Sequence, residues 1–222
     1  MDNHFEVGLD ALRQKLLTMA SHAEMDVNQA LQALIQRDYQ LALKVKENDR
    51  IIDQLEVEID DLVIQLLTKA PLARNLRLVT VVMKIAQNLE RVGDEASKIA
   101  KRAGELAQEP PLKINVDLSR LASLALDMLK AALDAFVNRD SAAARAVIPR
   151  DREVDALNKE IHRLLVQHMA ENPQSIPRCL NFMVVSKSLE RIADHATNVA
   201  EDVVYLCEAL DIRHTGAKGP VV

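Results

Sequence analysis

Four pairs of acidic residues recur along this chain at a spacing of four: Asp49 and Asp53, Glu90 and Asp94, Asp151 and Asp155, Glu190 and Asp194. On a helix, positions i and i+4 share one face, and like charges there repel by roughly 0.2–0.5 kcal/mol. Carboxylates held against their own repulsion are the donors that hard cations such as Mg, Ca or Mn, and also iron, take as ligands. The pairs form two matched sets. "LERVGDEA" at 89–96 returns as "LERIADHA" at 189–196, an offset of 100, and "NDRIIDQLEVEID" at 48–60 returns as "RDREVDALNKEIH" at 150–162, an offset of 102. Beside the apolar seam of the first middle segment runs the stripe Asp49, Asp53, Glu56, Asp60; its counterpart reads Asp151, Asp155, Asn158, His162.

A second reading of the same residues stays open. Acidic stripes also serve as solvated helix faces, with Arg50, Arg91, Arg152 or Arg191 as cross-helix partners. Asp151 is favoured in addition near a helix start, where the helix dipole welcomes negative charge. Catalytic constellations are missing from the pattern: it holds no H-E-x-x-H, no E-x-x-H of the di-iron type, no Gly-rich phosphate loop and no G-x-S-x-G. His4, His22, His162, His168, His195 and His214 are scattered, and only His162 and His195 fall near the acidic stripes. No catalytic residue is assigned, and an enzyme is not expected.

The elements that must position these acids are helices. Aromatic residues make up 2% of the chain, Trp is absent, and the apolar 49% is mostly Leu, Ala, Val and Ile, which excludes a sheet-based core. Prolines and turn residues divide the sequence into six segments, over about 5–36, 40–68, 74–107, 116–138, 141–170 and 177–211. Leu78, Val82, Ile85, Leu89, Val92, Ala96, Ile99 and Ala103 alternate spacings of four and three, as do Phe182, Val185, Leu189, Ile192, Ala196, Val199, Val203 and Leu206. That period is the seam of long helices packed near +20°. Together with the internal repeat, it predicts an all-α chain: a first three-helix bundle over 1–109, a second over 112–214, and a loose tail over 215–222.

Net charge of −5 and the lack of an aromatic stacking platform argue against direct nucleic-acid binding. Cys179 and Cys207 have no metal-type spacing and read as packing residues of a reduced protein. The opening "MDNHFEVGLDALRQKLL" lacks the pattern of a signal peptide, and "LRLVTVVMKIA" is too short for a membrane span of ~20 residues. The expectation is a soluble cytoplasmic protein without membrane insertion, with long exposed helices available for a homodimer.

"NLRLVTVVMKIAQNLERVGDEASKI", its repeat "SIPRCLNFMVVSKSLERIADHATNV", the D-x-x-x-D segments and the "IRHTG" ending resemble the PhoU family of bacterial phosphate-uptake regulators over nearly the whole chain. The resemblance implies two tandem three-helix bundles in a six-helix fold. It also implies metal ions, iron or Mg, Mn or Zn, in surface clusters. By position Asp49, Asp53, Glu90 and Asp94 would hold one, and Asp151, Asp155, Glu190 and Asp194 the other. It implies negative regulation of phosphate uptake and of the phosphate-starvation (Pho) regulon. The chain would act as an adaptor between the ATPase subunit of the phosphate ABC transporter and the phosphate-sensing histidine kinase. A different class, metal storage or metal-dependent hydrolysis on the carboxylates, is the alternative. The halves are not identical: Ala193 stands for Gly93 and His195 for Glu95, while "SKIAKRA" is basic where "TNVAEDV" is acidic.

Overall fold

Runs rich in Leu, Ala, Glu and Lys, punctuated by proline and by two Arg-Asp steps, give a computed structural model described over residues 2–68 and 73–213. Its α-helices are α1 (Asp2–Gln36), α2 (Tyr39–Leu67), α3 (Ala73–Ala107), α4 (Leu118–Asn138), the short α5 (Ser141–Val147), α6 (Asp151–Glu171) and α7 (Ile176–Glu208). No strand occurs among the described residues. The expected tail over 215–222, and most of "IRHTG", lie outside them.

The same turn is built twice. Arg37 (φ 56°) and Arg139 (φ 51°) take the left-handed conformation that ends α1 and α4. Asp38 N then donates to Ala33 O at 2.9 Å, and Asp140 N to Ala135 O at 3.0 Å. Both aspartates next cap the following helix, accepting from Leu41 N at 3.0 Å and from Ala143 N at 2.9 Å. These steps fold α2 back on α1, and α5 back on α4.

The fifth predicted segment, 141–170, is not continuous. Pro149 has no N–H to give the helix, and Ile148–Arg150 tighten into a 3-10 turn between α5 and α6. Glu47, the repeat counterpart of Pro149, lets α2 run straight through. Asp151 therefore opens a helix, where its charge suits the dipole, whereas Asp49 sits in the middle of one.

α1, α2 and α3 pack on one another, as do α4, α5, α6 and α7, and α3 packs along α7 to join the two sets. All eight α3 seam residues are buried, and on α7 all but the half-buried Phe182. On α6 the core line is Val154, Asn158, Ile161 and Leu165, with Leu157 and Leu164 half-buried. Asn158 is thus in the core, not beside it, and its side-chain oxygen accepts a hydrogen bond from Ser186 Oγ of α7. Cys179 is buried; Cys207 is exposed instead of packed.

Candidate metal centres on the paired helices

Gly93 lets α3 press against α2. A Cβ there would meet Ile52 Cδ1 at 2.8 Å and Asp49 Oδ1 at 3.3 Å, so the missing side chain places Asp49 directly against the "ERVGD" turn. In consequence Asp49, Asp53 and Glu56 from α2 lie within the electrostatic reach of Glu90 and Asp94 from α3. Desolvation between the helices raises the Glu90 pKa, and Asp94, Glu56 and Asp53 add to it. Asp49 is raised by desolvation and then by Asp53 and Asp94, against a hydrogen bond from Ser97. Glu56 rises by desolvation and the charge of Asp60.

The second cluster joins α6 to α7. Asp151 is raised by desolvation, then by Asp155 and Glu190. Desolvation, Glu190, Asp151 and Asp155 push Asp194 up to about 6, although Lys187 pulls the other way. Asp194 keeps an exposed edge while Glu190 is buried, 8% exposed. The eight predicted residues are thus brought together as two sets of four, each spanning two helices.

The carboxylates do not converge on a point. Among the described residues no three acidic, His or Cys side chains are arranged to hold one metal ion. At the first cluster Arg91 lies over the pair instead, Nε 3.2 Å from Glu90 Oε2 and Nη1 3.4 Å from Asp94 Oδ2. At the second, Lys187 Nζ is 2.5 Å from Glu190 Oε2, and Lys159 Nζ is 3.9 Å from Asp155 Oδ2. Asp151 Oδ1 is buried with no hydrogen-bond partner. An all-carboxylate donor set with buried oxygens that accept no hydrogen bond, Glu90 Oε2 in the first and Asp151 Oδ1 and Glu190 Oε2 in the second, suits a hard cation.

Other polar groups join the helices outside the acid pairs. Glu95, 4% exposed, is pushed up by burial, yet Lys98 at 2.9 Å, Ser188 and Arg191 at 3.3 Å hold it below the usual carboxylate range. Its repeat counterpart His195 places Nδ1 3.0 Å from Asn88 Oδ1. Lys84 Nζ donates to Asp202 Oδ1 at 3.1 Å, and Lys84 and Arg77 both lie over the Tyr205 ring. Asp26 of α1, 1% exposed, accepts from Asn48 at 3.4 Å beside Asp49. Asp26 was visible in principle: it continues the α1 core line Leu12, Leu16, Met19, Ala23 by a step of three. His162, near the second stripe as expected, is half-buried with its Nε2 unpartnered.

A model of the PhoU domain matches residues 16–103 and again 118–203. The chain is 40% identical to a Pseudomonas aeruginosa protein named phosphate-specific transport system accessory protein PhoU homolog, covering 97% of this chain and 90% of that one. It is 33% identical to the Escherichia coli phosphate-specific transport system accessory protein PhoU, again over 97% and 90%. The crystal structure of PhoU from Pseudomonas aeruginosa superposes with a TM-score of 0.89, covering 93% of this chain and all of that one at 40% identity. That of the phosphate transport system regulatory protein PhoU from Streptococcus pneumoniae gives 0.88 over 94% and 99%, at 28% identity. These relatives are named accessory and regulatory proteins, not enzymes.

Proposed function

The chain belongs to the PhoU family, and on that premise we propose that it is a regulatory accessory protein of phosphate-specific transport that binds metal at its two carboxylate clusters and works by contact. It restrains phosphate uptake and the phosphate-starvation regulon as an adaptor between the ATPase subunit of the phosphate ABC transporter and the phosphate-sensing histidine kinase. The observation that carries this reading is the family likeness over the whole chain, joined to the twofold recurrence of a carboxylate set spanning two helices. Asp49, Asp53, Glu90 and Asp94 would hold one set of cations and Asp151, Asp155, Glu190 and Asp194 the other. The metal would supply positive charge that ties α2 to α3 and α6 to α7.

Iron, Mn and Mg suit these oxygen donors better than softer ions. Among the described residues no helix is long and apolar enough to cross a membrane. On this reading contact with the membrane partners is made at their cytoplasmic parts, and the cytoplasm is where the protein acts. Exposed Ile51, Val57, Ile64 and Leu67 on α2 offer apolar area to a second copy, which supports a homodimer.

Deletion in the native cell should leave phosphate-starvation genes switched on in high phosphate. Surface variants that lose capture of the ATPase or the kinase, yet keep the helical circular dichroism spectrum, should reproduce that state. Normal repression by such variants would refute regulation by contact.

A further inference from the structure

Each acidic cluster already carries a cation of the chain's own, and the two cations do not occupy equivalent positions in the repeat. Arg91 bridges Glu90 and Asp94 at the first cluster. Its counterpart one hundred residues on, Arg191, does not repeat that contact; it reaches across to Glu95 of α3 at 3.3 Å. Glu95 is present in the first half only, since the second has His195 there. So the substitution that breaks the repeat also diverts the second arginine.

The vacancy is filled by Lys187, 2.5 Å from Glu190 Oε2, whose own counterpart is the uncharged Gln87. Both cations remain about half exposed, with side-chain exposures of 55% for Arg91 and 47% for Lys187. Neither is locked in place by packing, and each is free to swing into solvent.

We infer that Arg91 and Lys187 are resident counter-ions that compete with metal for the two clusters and set the affinity of each. This rests on the metal reading above. Carboxylates set this close repel one another, and the ion pairs of Arg91 with Glu90 and Asp94 and of Lys187 with Glu190 offset that repulsion. Arg91 pairs with both Glu90 and Asp94, so it acts on the set beyond its closest oxygen. An entering metal ion takes the same oxygens and must displace the side-chain cation first.

The two sites therefore differ in kind. The first is covered by a planar, permanently charged guanidinium held by two carboxylates, the second by separate ammoniums on one carboxylate each, Lys187 close on Glu190 and the more exposed Lys159 at 3.9 Å from Asp155. Arg91 is the stronger competitor.

The test uses the full chain stripped of metal and titrated calorimetrically with Mn²⁺. The second cluster is silenced by Glu190→Gln with Asp194→Asn to read the first, and the first by Glu90→Gln with Asp94→Asn to read the second. Exposed ion pairs are modest, so Arg91→Gln should tighten Mn²⁺ at the first cluster on the order of three- to tenfold. Lys187→Gln, which installs the residue of position 87, should tighten the second by a smaller factor. Each should leave the other cluster unchanged. Without metal, Arg91→Gln should melt below the parent chain, because unshielded repulsion remains, and Mn²⁺ should raise its Tm by more.

Mn²⁺ binding by the parent with unchanged or weaker affinity in both variants overturns the inference and leaves the metal reading standing. Absence of binding in parent and variants alike overturns both.

Discussion

Gly93 fixes how closely two acid-bearing helices meet, and it is the residue at which one atom matters most. Gly93→Ala adds a Cβ 2.8 Å from buried Ile52 and 3.3 Å from Asp49. Overpacking of about 1–3 kcal/mol is partly offset by roughly 1 kcal/mol of helix propensity, because both obstructing atoms end flexible side chains. The variant should fold with stability within about 2 kcal/mol of the parent, but with Asp49 displaced and Mn²⁺ weakened at the first cluster alone; unchanged calorimetric affinity would contradict this. Asp26 supplies a second residue-scale test. Burial raises its pKa, so in the folded chain it binds a proton more tightly than when unfolded. Its ionised form then subtracts stability above its folded pKa, and that loss is recovered as pH falls toward the unfolded value. Asp26→Asn should raise the metal-free Tm at pH 7, with the gain shrinking toward pH 4. The acid pairs themselves were legible from spacing alone. Arg91 and Lys187 as their partners were less so, because side-chain choice among several nearby arginines and lysines is made by cross-helix geometry that a linear pattern does not carry.

At the scale of elements, the repeated Arg-Asp turns show one local solution with two outcomes. Arg37 Nη2 donates to Ala107 O at 3.2 Å and also to Glu109 O, holding the end of α3. The Arg139 guanidinium makes no hydrogen bond to the described residues. Arg37→Ala should cost about 1 kcal/mol, read as a Tm lower by about 2–4 °C, whereas Arg139→Ala should stay within about 0.5 kcal/mol. Equal losses from both would contradict the assignment of Arg37 as the α3 clamp. Helix order and five of the six segments were readable because proline, Asp caps and the four-three period agree with one another. The break at Pro149 was not, because the apolar period continues on either side of it and hides the missing N–H. Asn158 reads as a stripe residue beside the core for a related reason: it is polar by type, yet Ser186 satisfies it in the core.

For the whole molecule, α3 and α7 lie antiparallel, since contacts pair Arg77 with Tyr205, Lys84 with Asp202, Asn88 with His195 and Glu95 with Arg191. Glu95 among Ser188 and Arg191 mirrors His195 among Asn88 and Arg91, an approximate local two-fold between the repeats. The repeat was plain in the sequence, but its docking face was not. The polar contacts that mark it, Lys84 with Asp202, Asn88 with His195 and Glu95 with Arg191, fall outside the apolar seams that reveal packing. His195 makes the junction acid-sensitive. Its surroundings are Asn88 and Asn198, Glu95, and the cations Arg91, Arg191 and Lys98. Burial and those cations depress its folded pKa below 6.5 despite Glu95, so its contribution to stability is complete above 6.5 and is lost as pH falls through that value. His195→Gln should flatten the pH dependence of Tm below 6.5; an unaltered profile would show that the junction titrates elsewhere.

The claim that unites these scales is that each repeat uses its own pair of helices to hold cations on carboxylates. Elemental analysis of Mn²⁺-loaded, gel-filtered protein tests it most directly, comparing the parent chain with Glu90→Asn/Asp94→Asn. The expected result is loss of the metal held by the first cluster, retention of that held by the second, and a smaller thermal shift on loading. Full metal content and an undiminished shift in the double variant would contradict it.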